Sequence, residues 1–129
     1  MTYQMGVLFR NAQLNSYNTN LGSSATLKVF SGTEPANCAA ADPSGLLCTI
    51  TLPASPFGTA SAGAITLSGT WSGTATATGT PASFRIYDSS SNCAMQGAIS
   101  ADMTLTPSTI TSIGQAVQIT TYTVTQGNA

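Results

Sequence analysis

From Ser24 onward the apolar residues recur at every second position in short runs, and each run is closed by Gly, Pro, Ser or Asn. That is the period of a β-strand, in which successive side chains point to opposite faces. "SATLKVFSG" sets Ala25, Leu27 and Val29 on one face and Thr26, Lys28 and Phe30 on the other. "LLCTITLP", residues 46–53, sets Leu46, Cys48, Ile50 and Leu52 against Leu47, Thr49 and Thr51. "ASFRIYD" turns Phe84 and Ile86 one way and Arg85 and Tyr87 the other; after the turn "DSSSN", "CAMQGAIS" is expected to pair with it antiparallel. "AITLSG", "TWSGTATATG", "DMTLTPSTITSIG" and "QAVQITTYTVTQ" complete the set, and in the last Val117, Ile119, Thr121 and Thr123 alternate with Gln118, Thr120, Tyr122 and Val124. Roughly seven to nine short strands at this spacing predict an all-β fold, an antiparallel β-sandwich or jelly-roll-like domain. The expected core is Leu27, Val29, Leu46, Ile50, Leu52, Ile65, Leu67, Phe84, Ile86, Ile99, Leu105, Val117 and Ile119.

Before Ser24 the pattern is different. Residues 4–21 place Met5, Leu8, Phe9, Ala12, Tyr17 and Leu21 at roughly helical spacing among Asn, Gln and Arg, with Gly22 where a C-terminal cap would stand. "NSYNTN" is poor helix-forming sequence, so an earlier stop is equally compatible. The expected organisation is a helix or arm over 1–22 and a sandwich over 23–129, the first either covering one end of the second or docking on a neighbouring subunit.

Charged residues make up only 5% of the chain, against about a quarter in ordinary soluble proteins. Three cations (Arg10, Lys28, Arg85) and four anions (Glu34, Asp42, Asp88, Asp102) give no electrostatic footprint for nucleic acid. A net charge of −1 offers little self-repulsion, which suits a protein that associates. No apolar run is long enough to span a bilayer, so no membrane partner is expected. "MTYQMGVLFRNAQ" lacks the basic start, apolar stretch and cleavage site of a signal peptide, so folding in a cytoplasm is the expectation. Cys38 and Cys48 flank one loop and can pair if it folds back; a reducing compartment favours three small buried or half-buried thiols instead, Cys93 included. With no histidine and no CxxC pair, neither a metal site nor a cofactor is expected.

The same lack of histidine removes the base of the usual serine or cysteine hydrolase dyad. The four carboxylates all lie in turn-like sequence, where they need no catalytic explanation, although two acids brought together by folding are all a glycosidase requires. "GTWSGTATATGTP" has neither the Lys nor the following helix of a phosphate loop. No enzymatic activity is expected. Trp71, Tyr87 and Tyr122 suggest one ligand platform, a stacking surface for sugars on a carbohydrate-binding module, which requires Trp71 to be exposed beside a Tyr; core or interface anchors are the other reading.

"LKVFSGTEPANCAAADPSGLLCTITLP", "ASFRIYDSSSNCAMQGAIS" and "ITSIGQAVQITTYTVTQGNA" together resemble a type of small protein encoded in tailed-phage and prophage genomes, over most of the chain from about Leu21. The "FSGTEPA" turn, the "FRIYD" strand and the "GQAVQIT" ending carry the resemblance. It implies a virion structural component, assembled in the host cytoplasm, and in size and character the chain is most similar to capsid cement or decoration proteins. Those are commonly sandwiches that bind as dimers or trimers across capsomer junctions. The partner so implied is a major capsid protein or another virion protein, with a homo-oligomer of this chain. A neck, tail or fibre-associated position is the alternative. No active-site residue comes with the resemblance. The candidate shell or subunit contacts are Leu8, Phe9 and Tyr17 in the N-terminal segment and Glu34, Pro35, Asp42 and Pro43 in the loop "TEPANCAAADPSG", which also has the ordinary composition of a surface connection.

Overall fold

A computed structural model describes residues 6–106 and 108–125. Met5, assigned above to the helix, lies outside the described residues. The chain is an all-β sandwich of two antiparallel sheets with one short N-terminal helix. The helix α1 spans Val7–Leu21, and the strands are β1 Thr26–Phe30, β2 Leu46–Thr51, β3 Ala64–Thr66, β4 Ser72–Thr74, β5 Ser83–Tyr87, β6 Cys93–Ala98, β7 Met103–Thr106 and β8 Ala116–Thr125. The first sheet has the order β2-β1-β5-β6. In the second, β8 is central and pairs with β4 over 116–118, with β7 over 118–122 and with β3 over 123–125. The sheets meet where Cys48 of β2 bridges Ala75 just past β4.

The core lies between the two sheets. Leu27 and Val29 of β1, Ile50 of β2, Phe84 and Ile86 of β5 and Val117 and Ile119 of β8 are all 2% exposed or less. Leu52, Ile65 and Leu105 are buried with them. An aromatic cluster fills the centre: Phe57 meets Trp71 edge-on at 5.4 Å, Tyr122 meets Phe84 edge-on at 5.4 Å, and Trp71 and Tyr122 lie 6.0 Å apart. Such pairs add about 0.5–1.5 kcal/mol beyond their buried area. Trp71 satisfies its one polar atom by donating Nε1–H to the Pro56 carbonyl at 3.1 Å. Gly97 is required by this packing, since a Cβ there would lie 2.7 Å from the Phe84 ring.

Leu46, expected in the core, is 40% exposed, and Leu47, assigned to the opposite face, is 1% exposed, while Leu67 and Ile99 pack against the core but are only partly buried. The cause at Leu46 and Leu47 is a β-bulge. Val29 pairs with Cys48 but Phe30 pairs with Leu46, so Leu47 is an extra residue and the alternation changes phase there. A second bulge has the same effect in β8, where Leu105 pairs with Ile119 and Thr104 with Thr121. Beyond it Tyr122, assigned to the face away from Val117 and Ile119, turns into the core.

The helix is where expected but presents a different face. Leu14 and Leu21 are buried and Tyr17 packs edge-on against Phe57 at 5.8 Å, whereas Leu8, Phe9 and Ala12 are exposed. Gly22 caps it, its N–H donating to the Asn18 carbonyl at 3.2 Å with φ +80°. Its attachment is also polar. Asn18 exchanges two hydrogen bonds with the Phe57 backbone (2.8 and 2.9 Å), Asn15 Oδ1 accepts from the Ala60 N–H at 2.8 Å and Asn11 Oδ1 from the Gly63 N–H at 2.9 Å. These three asparagines stand four and three residues apart, on one helix face. They satisfy backbone groups of the irregular segment 57–63, which has little sheet of its own to pair with.

Candidate interaction site

The loop over 31–45 lies across the outer face of the first sheet as a strap. Its base is closed by backbone bonds from Ser31 N–H to the Gly45 carbonyl (2.9 Å) and from Gly32 N–H to the Ser44 carbonyl (3.0 Å). Gly32 must be glycine there, because a Cβ would stand 2.8 Å from the Ser44 carbonyl oxygen. Asn37 shapes the middle: its side-chain oxygen accepts from the N–H groups of Ala39 (2.9 Å) and Ala40 (3.1 Å).

The sheet holds the strap from below. All five residues of β5 are buried, Phe84 and Ile86 by the core and Ser83, Arg85 and Tyr87 on the other face by the strap. Arg85, 2% exposed, donates Nη1–H to Asp42 Oδ1 at 2.9 Å and Nη2–H to the Asn37 carbonyl at 3.1 Å. Tyr87 donates its hydroxyl to the same Asp42 oxygen. Ser83 Oγ reaches the Gly32 carbonyl (2.7 Å), and Gln96 Nε2 reaches the Pro35 carbonyl (2.7 Å). Lys28 Nζ sits 5.0 Å from the centre of the Tyr87 ring. A buried guanidinium is tolerable only when paired and hydrogen-bonded, and the strap supplies both the charge and the carbonyl. The hydrogen bond from Tyr87, with Arg85 and Lys28 nearby, holds the Asp42 carboxyl below its ordinary 3.8 despite partial desolvation. Burial, reinforced by Asp42, pushes the Tyr87 hydroxyl up to about 12.

A covalent tie completes the attachment. Cys38 on the strap is disulfide-bonded to Cys93 on β6, with Cα atoms 5.5 Å apart. This corrects both cysteine expectations: Cys38 does not pair with Cys48, and the three thiols are not all free. Cys48 is the free one, fully buried with its thiol pushed up by desolvation. The partner is set by a third bulge, because Ile86 pairs with Met95 and Tyr87 with Cys93, which turns Met95 toward the core and Cys93 toward the strap.

Of the candidate contact residues, Leu8 (82% exposed) and Phe9 (55% exposed) stand out from the start of α1 beside the exposed Val7. Tyr17 is half-buried at the other end of the helix, lining a shallow cleft of about 220 Å³ with Asn20, Leu21, Ala94 and Met95. Glu34 is exposed, Pro35 and Pro43 are half-buried, and Asp42 keeps 47% of its side chain in water while serving Arg85 and Tyr87. All four lie on the strap, where the Pro35 carbonyl accepts from Gln96 and Asp42 accepts from Arg85 and Tyr87. The asparagine ladder and the covering of Arg85 escaped the sequence reading, although Asn11, Asn15 and Asn18 carry a helical spacing that signals the first.

The aromatic platform is not assembled. Trp71 is fully buried, Tyr122 packs beside it in the core, and Tyr87 lies on the opposite face of the first sheet beneath the strap. Three carboxylates have local structural partners: Asp42 as above, Asp88 accepting from the Ser90 and Asn92 N–H groups (both 2.9 Å), and Asp102 accepting from the Ala98 N–H at 2.9 Å. Among the described residues no group of His, Cys, Asp and Glu is placed to hold a metal, and no helix is long and apolar enough to cross a membrane. No protein-family model, curated protein or solved structure matches this chain.

Proposed function

We propose that this chain is a virion structural protein of a tailed phage, of the cement or decoration kind, which stabilises the shell by binding across capsomer junctions. The observation that carries the reading is the exposed step of Val7, Leu8 and Phe9 on a helix that is itself fixed to the sandwich by side-chain and backbone bonds. An apolar step on a fixed support docks with little loss of conformational entropy. The strap is a second ordered surface, of small and mostly uncharged residues, and repeated over a symmetric lattice such weak contacts sum to large stability. The Cys38–Cys93 bond suits this setting, since disulfides persist on virion exteriors as they do in secreted proteins.

The partner on this reading is the major capsid protein or another virion protein, with the chain itself as a dimer or trimer. A neck, tail or fibre-base position is the second reading within the virion. Carbohydrate binding is disfavoured because its platform is dismantled, with Trp71 in the core.

Quantitative mass spectrometry of gradient-purified phage particles tests the proposal. One copy per shell subunit, or a simple fraction of that, supports a lattice-wide cement. A handful of copies per particle moves the protein to the neck or tail. Absence from the particles overturns the virion reading.

A further inference from the structure

We infer that the strap over 31–45 carries two independent locks, a disulfide at Cys38–Cys93 and a carboxylate–guanidinium pair at Asp42–Arg85, either of which keeps it closed over the first sheet. The inference is independent of the virion proposal. It follows from where the two ties are placed. Both tie the strap to the sheet, the first to β6 and the second to β5, so neither depends on the other for its geometry. Hydrogen bonds from Ser83 and Gln96 to strap carbonyls add neutral support at either side.

The two locks respond to different chemistry. Cys38 and Cys93 are both only half-buried, whereas Cys48 is sealed in the core, so an external thiol has access to the bond and not to the spare cysteine. In the reductive step a thiolate of a small thiol attacks one sulfur and the other leaves as a thiolate. A second thiol then resolves the mixed disulfide. The protein gains two electrons and two protons, and the reductant leaves as its own disulfide.

The other lock responds to acid. The groups that face Asp42 are Arg85 and Tyr87 from β5 and Lys28 from β1, while β6 contributes only the uncharged Gln96 and the strap's other acid is the exposed Glu34. Protonating Asp42 leaves Arg85 with a carbonyl but no counter-charge. The strap then opens only when the disulfide is reduced and Asp42 is neutralised together, and opening uncovers Phe30, Arg85 and Tyr87, which are otherwise buried.

The test is amide hydrogen exchange on the full-length chain, read at Ser31 and Gly32, whose N–H groups close the strap base, with amides of β1 and β5 as internal controls. Four forms are compared at neutral pH: wild type and Asp42→Ala, each oxidised and reduced with dithiothreitol. Protection at Ser31 and Gly32 is expected to stay within about threefold of the oxidised wild type when one lock is lost. It is expected to fall by at least about tenfold when both are lost, the factor associated with a hydrogen bond to a charged group, while β1 and β5 keep theirs. Full loss of protection on reduction alone, or full retention in the reduced Asp42→Ala chain, overturns the two-lock account. If Asp42→Ala fails to fold, Asp42→Asn, which removes the charge and keeps the side-chain shape, gives the same decision when its oxidised and reduced forms are compared at neutral pH.

Discussion

Arg85 Nη1 lies 2.9 Å from Asp42 Oδ1, and the two side chains differ sharply in their surroundings, 2% exposed for the arginine and 47% for the aspartate. The pair is therefore asymmetric. Removing the aspartate strands a buried cation, whereas removing the arginine leaves a carboxylate that water can solvate. Asp42→Ala is expected to cost about 2 kcal/mol, below the ~3–5 kcal/mol of a fully buried pair because one partner is half in water. The double substitution with Arg85→Met is expected to recover at least half of that loss, and urea denaturation of the wild type and the two variants measures it.

The same oxygen accepts from Tyr87, and this gives the protein a pH signature at both ends. Asp42 has a folded-state pKa below its ordinary 3.8, so its contribution is complete above that value and is lost as pH falls through the lowered one. Tyr87 is raised from 10.0 to about 12, so its contribution is complete below 10.0 and is lost as pH rises toward 12. Titration by phenolate absorbance is expected to show Tyr87 ionising near 12 in the wild type and at lower pH in Asp42→Asn.

Asn18 closes two hydrogen bonds to the backbone of Phe57. Asn18→Ala leaves both partners of Phe57 unpaired in a half-buried setting, at an expected cost of about 1–3 kcal/mol. Asn18→Asp keeps the acceptor and loses the donor, and is expected to fall between the two in thermal denaturation. The sandwich, whose core needs from the helix only Leu14, Tyr17 and Leu21, is expected to keep its strand content in both variants.

Phe9 is 55% exposed at the start of α1. Phe9→Asp is therefore expected to change the stability of the isolated chain by no more than about 0.5 kcal/mol, as surface substitutions do. On the proposed function it weakens attachment to particles, measured by co-sedimentation of the variant with shells stripped of the wild-type protein. Global unfolding of the variant would instead make Phe9 part of the folded core.

Much of the sandwich was legible because alternation is a local signal. Leu27 and Val29, and Phe84 and Ile86, face the core as their period-two runs require. The reading failed where one extra residue shifts the phase, at Leu47 and before Tyr122, because a bulge is set by the partner strand and leaves no mark of its own in the run. The strap was visible as a candidate contact loop, yet its hold on Arg85 was not, since a pairing across 43 residues of sequence depends on the topology. The cysteines show the same limit. Loop proximity suggested Cys38 with Cys48, but strand β2 turns Cys48 into the core, and the bulge opposite Tyr87 brings Cys93 to the strap. The helix was found by its spacing and its face was missed, because the asparagines at 11, 15 and 18 face segment 57–63 alongside the apolar side chains.

Residues 31–45 are tied to β6 across the outer face of the first sheet by the Cys38–Cys93 bond. Peptide mapping by mass spectrometry checks this on protein purified under oxidising conditions and alkylated at neutral pH, first folded and then in urea with the alkylating agent present throughout. One cross-linked peptide pair joining Cys38 to Cys93 is expected, with Cys48 alkylated only after unfolding. A Cys38–Cys48 link, or rapid alkylation of Cys48 in the folded chain, would contradict it.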